Sequence, residues 1–277
     1  MPADPAVSIA GPKADPETYA AIRKDLGLDD PLAVQYGRYL WQLAHGDLGR
    51  SYVSGRSVAS VIAQRLPATA LLAVTSLAGG FLLGLVAGLL TAARQGSRTD
   101  LLVLVGTLVG LSLPAFWVGN LLIYAFGYRW GVLPLGGYGG LRHLLLPAAT
   151  LALFEFFFYA RFVHTNVAGT LASDYVRTAR AKGVGPGRLY LRHALRNALI
   201  PIVTLLGLDI AALMSGVVLT ETVFNWPGLG RLAVQSVFSL DVPIVAGTVL
   251  FSGVLVLACN LAVDLLYGVI DPRVQHG

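Results

Sequence analysis

The chain has 277 residues, of which 55% are hydrophobic and only 13% are charged, and its mean hydropathy is +0.68. A soluble domain carries roughly 25% charged residues, so a chain this apolar cannot keep its surface in water and belongs in a bilayer. The net charge of +5 is therefore interpreted first as membrane topology, because cytoplasmic loops collect Lys and Arg, and no nucleic-acid partner is predicted. The single cysteine, Cys259, excludes disulfide frameworks and cysteine-based metal sites.

Residues 1–67 form a polar segment ahead of the first long apolar run, with seven basic and seven acidic side chains. Asp15-Pro16-Glu17 predicts the start of a helix that Gly27 ends, and Asp30-Pro31 predicts the start of a second helix. The helical pattern then stops at three glycines, Gly46, Gly49 and Gly55. We interpret the segment as a small helical lip over the membrane.

Five apolar stretches are each long enough for a membrane helix, which needs about 20 mainly apolar residues. They are Ala68–Ala93, Leu101–Tyr128, His143–Ala160, Ala198–Thr220 and Val242–Val263. The predicted fold is therefore an all-α membrane protein, a polytopic helical bundle over residues 68–270 with a short tail at residues 271–277.

The links between the apolar stretches predict the orientation of the chain. The link Arg161–Asn197 carries seven basic residues against one acid and so marks the cytoplasmic side. Alternation then places residues 94–100 and the tail inside, and residues 1–67, 129–142 and 221–241 outside. Because no apolar stretch precedes residues 1–67, their export needs a further span ahead of them or N-out insertion of the first stretch, and we expect the further span.

No enzyme motif is present, since the sequence has no GxxxxGK[ST] phosphate loop, HExxH, paired CxxC or GxSxG elbow. We therefore expect no catalytic residue and no bound cofactor. The histidines are scattered without metal-ligand spacing: His45, His143, His164, His193 and His276.

Three carboxylates lie in or near the predicted spans, where acids are costly and by default mark ion or substrate pathways. Asp209, near the middle of its span, is the best candidate for lining a wet cavity, and a proton relay is the alternative. Glu155, six residues before Arg161, faces either the bundle interior or the lipid edge. Asp264 is interpreted as a local cap or a partner of Arg273 near the cytoplasmic end. An alternative function, a proton-coupled secondary transporter, would use Glu155 and Asp209.

Two helices carry glycines at every fourth position. Gly80, Gly84 and Gly88 repeat this spacing in the first span, and Gly106 and Gly110 repeat it in the second. Because a stripe without side chains lets helix backbones approach closely, the spacing predicts helix packing and not a ligand site.

The long basic link holds the most informative residues. They predict a helix capped at Ser173 or Asp174 and ended by Gly183, a turn at residues 185–187, and a second helix from Arg188 into the next span. From these residues alone, an anchor on anionic lipid headgroups and a docking site for another protein are equally favoured.

The sequence DYVRTARAKGVGPGRLYLRHALRNALIP, residues 174–201, resembles the cytoplasmic EAA loop of ABC-importer permeases. The similarity is to the dipeptide/oligopeptide/nickel family, B-type subunit. ETVFNWPGLGRL at residues 221–232 resembles its external loop between the last two spans, and GDLGRSYVSGRSV at residues 46–58 its external N-terminal region. The chain departs from the general EAA pattern at Arg177, where that pattern has Glu, and family members carry one further membrane helix at the start.

The resemblance implies a type-1 ABC permease that moves peptides or a related small solute by alternating access. Its implied partners are a second, C-type permease subunit, two ATP-binding cassette subunits that hydrolyse ATP, an extracytoplasmic solute-binding protein and membrane lipid. The implied ATPase-coupling residues are Asp174, Tyr175, Arg177, Thr178, Ala179, Arg180, Ala181, Lys182, Gly183 and Arg188. An external gate, or a surface for the binding protein, is implied at Glu221, Trp226, Pro227, Gly228 and Gly230, with an interfacial aromatic anchor as the alternative for Trp226.

Overall fold

The structure, a computed structural model, describes residues 5–11, 14–190 and 195–270, and these ranges are mainly helical. No named strand occurs within them, and the one isolated bridge pairs Arg50 with Ser57. The helices are α1 Pro5–Ala10, α2 Pro16–Asp25, α3 Leu32–Ala44, α4 Val58–Ala93, α5 Arg98–Ser112, α6 Ala115–Leu122, α7 Leu141–Leu171, α8 Asp174–Ala181, α9 Pro186–Arg188, α10 Leu195–Met214, α11 Val218–Val223, α12 Leu229–Phe238 and α13 Val242–Ile270. A π-helical segment, Ile123–Arg129, continues α6. The predicted all-α class is confirmed.

Both helices predicted in the polar N-terminal segment are present. The carboxylate of Asp15 caps α2 by accepting the backbone N–H of Thr18 at 2.7 Å. Gly27 ends this helix with a φ of +62°, a backbone conformation that favours glycine. The next helix, α3, has no buried residue.

The N-terminal segment is fastened to the start of the last long helix. Asp241, directly before α13, is only 4% exposed, and its carboxylate accepts the Ser51 hydroxyl at 2.5 Å and the Tyr52 backbone N–H at 3.0 Å. Below this contact, Val58 of α4 packs in a buried cluster with Ile244 of α13. The segment is therefore part of the packed structure in a way that its polar sequence did not predict.

Within the described residues, three helices are long and apolar enough to cross a membrane: α4, α7 and the Val242–Ala262 part of α13. A fourth crossing exists if α5 and the helical stretch from Ala115 to Arg129 count as one span, but the two are bent by 97°. The expectation of one continuous helix over Leu101–Tyr128 is therefore wrong. Pro114 disfavours helical backbone at the preceding residue, and Leu113 is extended, with ψ of 136°.

Other helix ends also differ from the predicted spans. The first spanning helix begins at Val58, well before Ala68, and α7 continues beyond Ala160 to Leu171. The tenth helix ends at Met214 and not at Thr220, because the chain turns at Gly216, where φ is +112°. Its apolar part, Pro201–Met214, is shorter than a full crossing, so a span at this position stays a prediction.

The central packing unit is the pair α4 and α7. A Cβ atom added at Gly84 would lie 2.8 Å from the Tyr159 Cβ and 2.9 Å from the Phe156 carbonyl oxygen. Gly80 and Gly88 meet α7 equally closely, so the predicted packing stripe is confirmed there. The aromatic ring of Phe157 fills the space at Gly110, whereas no atom of the described residues lies within 4 Å of a Cβ at Gly106, where the expected close approach is wrong.

Candidate functional sites

The predicted coupling loop, residues 174–201, begins two residues after α7 ends. Its helix α8 is held by Val176, whose side chain is fully buried. The expected side-chain cap at Ser173 is wrong, since the Ser173 hydroxyl donates to the Thr170 carbonyl at 2.5 Å and leaves the N-terminus of α8 without that bond. At the other end Gly183 has a φ of +79°, as expected for the residue that ends the helix.

The rest of α8 is turned outward. At 100° per residue, Asp174, Thr178 and Ala181 lie on the face opposite Val176, and all three are exposed. Asp174 pairs with Arg177 at 2.9 Å, but both side chains are more than four-fifths exposed, so the pair contributes little stability. The remaining predicted coupling residues are mostly exposed: Tyr175, Arg180, Lys182, Gly183 and Arg188 are exposed and Ala179 is half-buried. The helix therefore presents a basic, largely unpacked surface.

The second half of the loop departs from a plain turn. Pro186–Arg188 form a helical turn, and the following Leu189 is buried. The Tyr190 hydroxyl lies 3.5 Å from the carbonyl oxygen of Ala93, at the end of α4. The second helix expected from Arg188 crosses residues 191–194, which lie outside the described residues, and helix resumes at Leu195.

The residues predicted to lie on the external side form a buried cluster around Glu221, which we call the external cluster (Thr69, Glu221, Trp226, Gly228 and Gly230). The carboxylate of Glu221 is fully buried; one oxygen accepts the Thr69 hydroxyl at 2.8 Å and the other accepts the backbone N–H of Arg231 at 2.9 Å. The Thr69 oxygen in turn accepts the backbone N–H of Leu229 at 2.8 Å. Burial raises the pKa of Glu221, and these hydrogen bonds oppose the rise without cancelling it.

The same cluster encloses Trp226. Its side chain is 1% exposed, and its indole N–H donates to the carbonyl of Ala68 on α4 at 2.9 Å. The alternative of an interfacial aromatic anchor is therefore wrong, because the ring does not reach lipid. A Cβ at Gly228 would lie 2.1 Å from a Glu221 carboxylate oxygen, and one at Gly230 would lie 2.8 Å from the Val218 backbone. Only glycine at these two positions lets the start of α12 approach α11 this closely.

Two of the three acids predicted in or near the spans lie close to Tyr159. The Tyr159 hydroxyl on α7 donates to the carboxylate of Asp209 on α10. Glu155 lies one turn before Tyr159, and a Cβ at Gly80 would be 2.4 Å from the Glu155 Cβ. Glu155 therefore emerges at the α4–α7 contact and not at a lipid-facing edge. The side chain of Asp264, and Arg273, lie outside the described residues.

Several residues of these sites were not identified from the sequence. Three hydroxyls donate to carboxylates that are distant in the sequence, those of Thr69, Tyr159 and Ser51. A local sequence pattern does not predict such hydrogen bonds. The Tyr159 position had a signal, since it follows Glu155 by one helical turn on the same face. Among the described residues, no group of three or more His, Cys, Asp or Glu side chains is placed to hold a metal ion.

Comparisons with known proteins match the chain along its length. The family described as binding-protein-dependent transport system inner membrane component matches residues 80–276, and the N-terminal family of the same transport systems matches residues 1–73. A protein described as a peptide transport system permease of Brucella suis biovar 1 is 42% identical over all of this chain and 90% of its own length. The glutathione transport system permease of Salmonella paratyphi A is also 42% identical, with the same coverage.

Solved structures share the fold. A chain of the methionine ABC transporter MetNI in an inward-facing conformation aligns with a TM-score of 0.63 and 17% identity, over 76% of this chain and 96% of its own. A chain of an amino acid ABC transporter aligns with a TM-score of 0.60 and 18% identity, over 76% and 94%. The chain thus belongs to the binding-protein-dependent transport system inner membrane component family and is a multi-pass permease subunit of an ABC importer in the cytoplasmic membrane.

Proposed function

We propose that this permease imports peptides, or a small solute with peptide character such as glutathione. The two relatives at 42% identity are described as permeases for peptides and for glutathione, and the match covers the whole of this chain. The complete transporter would contain a second, C-type permease subunit, two ATP-binding cassette subunits and an extracytoplasmic solute-binding protein. ATP hydrolysis then belongs to the cassette subunits, and this chain needs no catalytic residue.

The observation that carries the proposal is the geometry of α8. Its single buried side chain, Val176, fixes it at the end of the long helix α7, while the opposite face is exposed and its surroundings are basic. If a cassette subunit binds a short helix anchored in this way, a displacement of that helix is transmitted along α7. The exposed residues of α8, with Gly183 and Arg188 after it, are the coupling residues under this proposal.

The external cluster is proposed as part of the external gate. Since Glu221 and Trp226 are buried, they support the gate by packing, and a binding protein would touch other residues of the same region. Glu155 and Asp209, with Tyr159 between them, are proposed to line the solute pathway. The alternative, a proton-coupled secondary transporter using these two acids, receives no support from the relatives.

The experiment substitutes Ala181, which is exposed on the outer face of α8, with Trp. Ala181→Trp should leave expression unchanged but abolish co-purification of the cassette subunits and ATP-driven peptide uptake into proteoliposomes. The matched control is Ala33→Trp, on an exposed position of α3, which should retain the cassette subunits. Undiminished cassette binding and uptake by Ala181→Trp would show that α8 is not the docking element.

A further inference from the structure

Three helices meet at a polar contact around His164, near the ends of α4 and α7 and the start of α5. The His164 Nδ1 atom lies 3.2 Å from the Thr91 hydroxyl oxygen on α4 and 3.4 Å from a carboxylate oxygen of Asp100 on α5. Thr91 is buried, and the side chains of His164 and Asp100 are 21% and 16% exposed. The contact therefore joins three helices within one largely enclosed group of side chains.

The hydrogen bonds decide which atom carries the proton. The carbonyl oxygens of Ala87 at 2.9 Å and Gly88 at 3.1 Å are both closer to the Thr91 hydroxyl than His164 is, which assigns its one hydrogen to them and leaves its oxygen to accept from His164. The carboxylate of Asp100 is also an acceptor. Both neighbours of Nδ1 are thus acceptors, which assigns the Nδ1-protonated tautomer to His164. In this tautomer Nδ1 donates to Thr91 on α4 and lies 3.4 Å from the Asp100 carboxylate on α5.

Asp100 extends the contact into the loop between α4 and α5. Its second carboxylate oxygen accepts the backbone N–H of Gly96 at 2.9 Å, and its own N–H donates to the Ser97 hydroxyl at 3.2 Å. These bonds fix the loop conformation and the first turn of α5. The space beside the contact, lined also by Arg161 and Thr107, measures only about 10 Å³. Movement of one helix end must therefore move the others or break the hydrogen bonds.

We propose that His164 is a positioning residue that fastens the α4–α5 loop to α7, so that movement entering through α8 is passed to α4 and α5 together. The inference rests on the proposed function, in which α8 docks a cassette subunit. The route is short: His164 lies two helical turns before the end of α7, and α8 follows after two residues. Without the Nδ1 donor, α7 can move independently of the α4–α5 loop. ATP hydrolysis is then no longer coupled to transport.

The experiment compares three variants of the complete transporter in proteoliposomes: His164→Ala, His164→Asn and His164→Gln. The Asn side-chain amide places an N–H near the position of Nδ1, whereas the longer Gln amide places it near Nε2. We expect His164→Ala and His164→Gln to lower the solute transported per ATP hydrolysed by about fivefold, within the range reported for residues along coupling routes. His164→Asn should recover most of the wild-type ratio.

The outcomes separate a positioning role from a merely structural one. If Asn behaves like Ala, or Gln like the wild type, the Nδ1 donor is not responsible and the inference is overturned. If all three variants keep the wild-type ratio, it is overturned as well. The wild-type transporter is measured first with and without ATP, so a failure of the proposed function shows as ATP-independent uptake before any variant is compared.

Discussion

The close approach of α4 to α7 predicts a specific cost for one methyl group at Gly84. In Gly84→Ala the new Cβ would lie 2.9 Å from the Phe156 carbonyl oxygen and 3.0 Å from the Ala160 backbone nitrogen, and neither atom can rotate away. Overpacking of this kind costs about 1–3 kcal/mol, and alanine returns only about 0.5–1 kcal/mol of helix propensity. The expected result is a net loss of up to about 2.5 kcal/mol in the free energy of unfolding.

The matched control is Gly106→Ala on α5, where nothing lies within 4 Å of the added Cβ. This variant gains the same helix propensity without a clash, so its stability should stay the same or rise by up to about 1 kcal/mol. Thermal unfolding of the full chain in detergent should separate the two variants by several degrees, since about 1 kcal/mol shifts Tm by roughly 2–4 °C in a chain of this size. Equal Tm values for both variants would refute the packing argument for the α4 stripe.

Three further predictions concern polar contacts away from the glycine stripe of α4. Thr69→Val keeps the shape of the side chain but leaves a Glu221 oxygen and the buried backbone N–H of Leu229 unpaired. It should lower the free energy of unfolding by about 2–3 kcal/mol. The control is Thr75→Val, which should change this free energy little because the Thr75 hydroxyl bonds only within its own helix. Because burial raises the pKa of Glu221, the fold favours its protonated form, so its contribution to stability is complete below the ordinary value of 4.5 and is lost as pH rises through the raised pKa. The Tm of the wild type relative to Glu221→Gln should therefore fall with rising pH, and a constant difference would contradict this. Ser51→Ala leaves Asp241 with one hydrogen bond and should make the N-terminal segment more sensitive to limited proteolysis, without loss of the spanning core.

Local sequence signals predicted what depends on neighbours along the chain. Hydropathy located the long apolar helices, and the Asp-Pro pairs located the starts of α2 and α3. The loop signals around Gly183 located the end of α8, since a positive φ there needs glycine. The resemblance of residues 174–201 to the EAA loop then predicted the family, which the comparisons confirm.

The sequence could not predict features that depend on residues far apart. Glu221 lies among turn residues that suggest an exposed loop, yet it is fully buried because Thr69, more than a hundred residues earlier, donates to it. Trp226 lies among the same turn residues, which is why the sequence left a membrane-interface anchor open for it. Hydropathy also carries no information on the direction of a helix axis, so the 97° bend near Pro114 was not predicted within one continuous apolar stretch. Composition alone treats Gly106 like Gly84, although only the latter meets a neighbouring helix.

The contacts of α7 make it the helix on which the proposed mechanism depends. It packs along α4 through the glycine stripe, bonds α10 through Tyr159, and bonds the end of α4 through His164, which also lies 3.4 Å from Asp100 on α5. Packed interfaces of this density do not deform continuously, so a displacement of α8 is delivered to these neighbours as movement of whole helices. Glu155 lies on α7, and Asp209 on α10 is bonded to α7 through Tyr159, so the proposed solute pathway and the proposed coupling path meet at one helix. A change in the docking of α8 therefore reaches the proposed pathway without any separate connecting element.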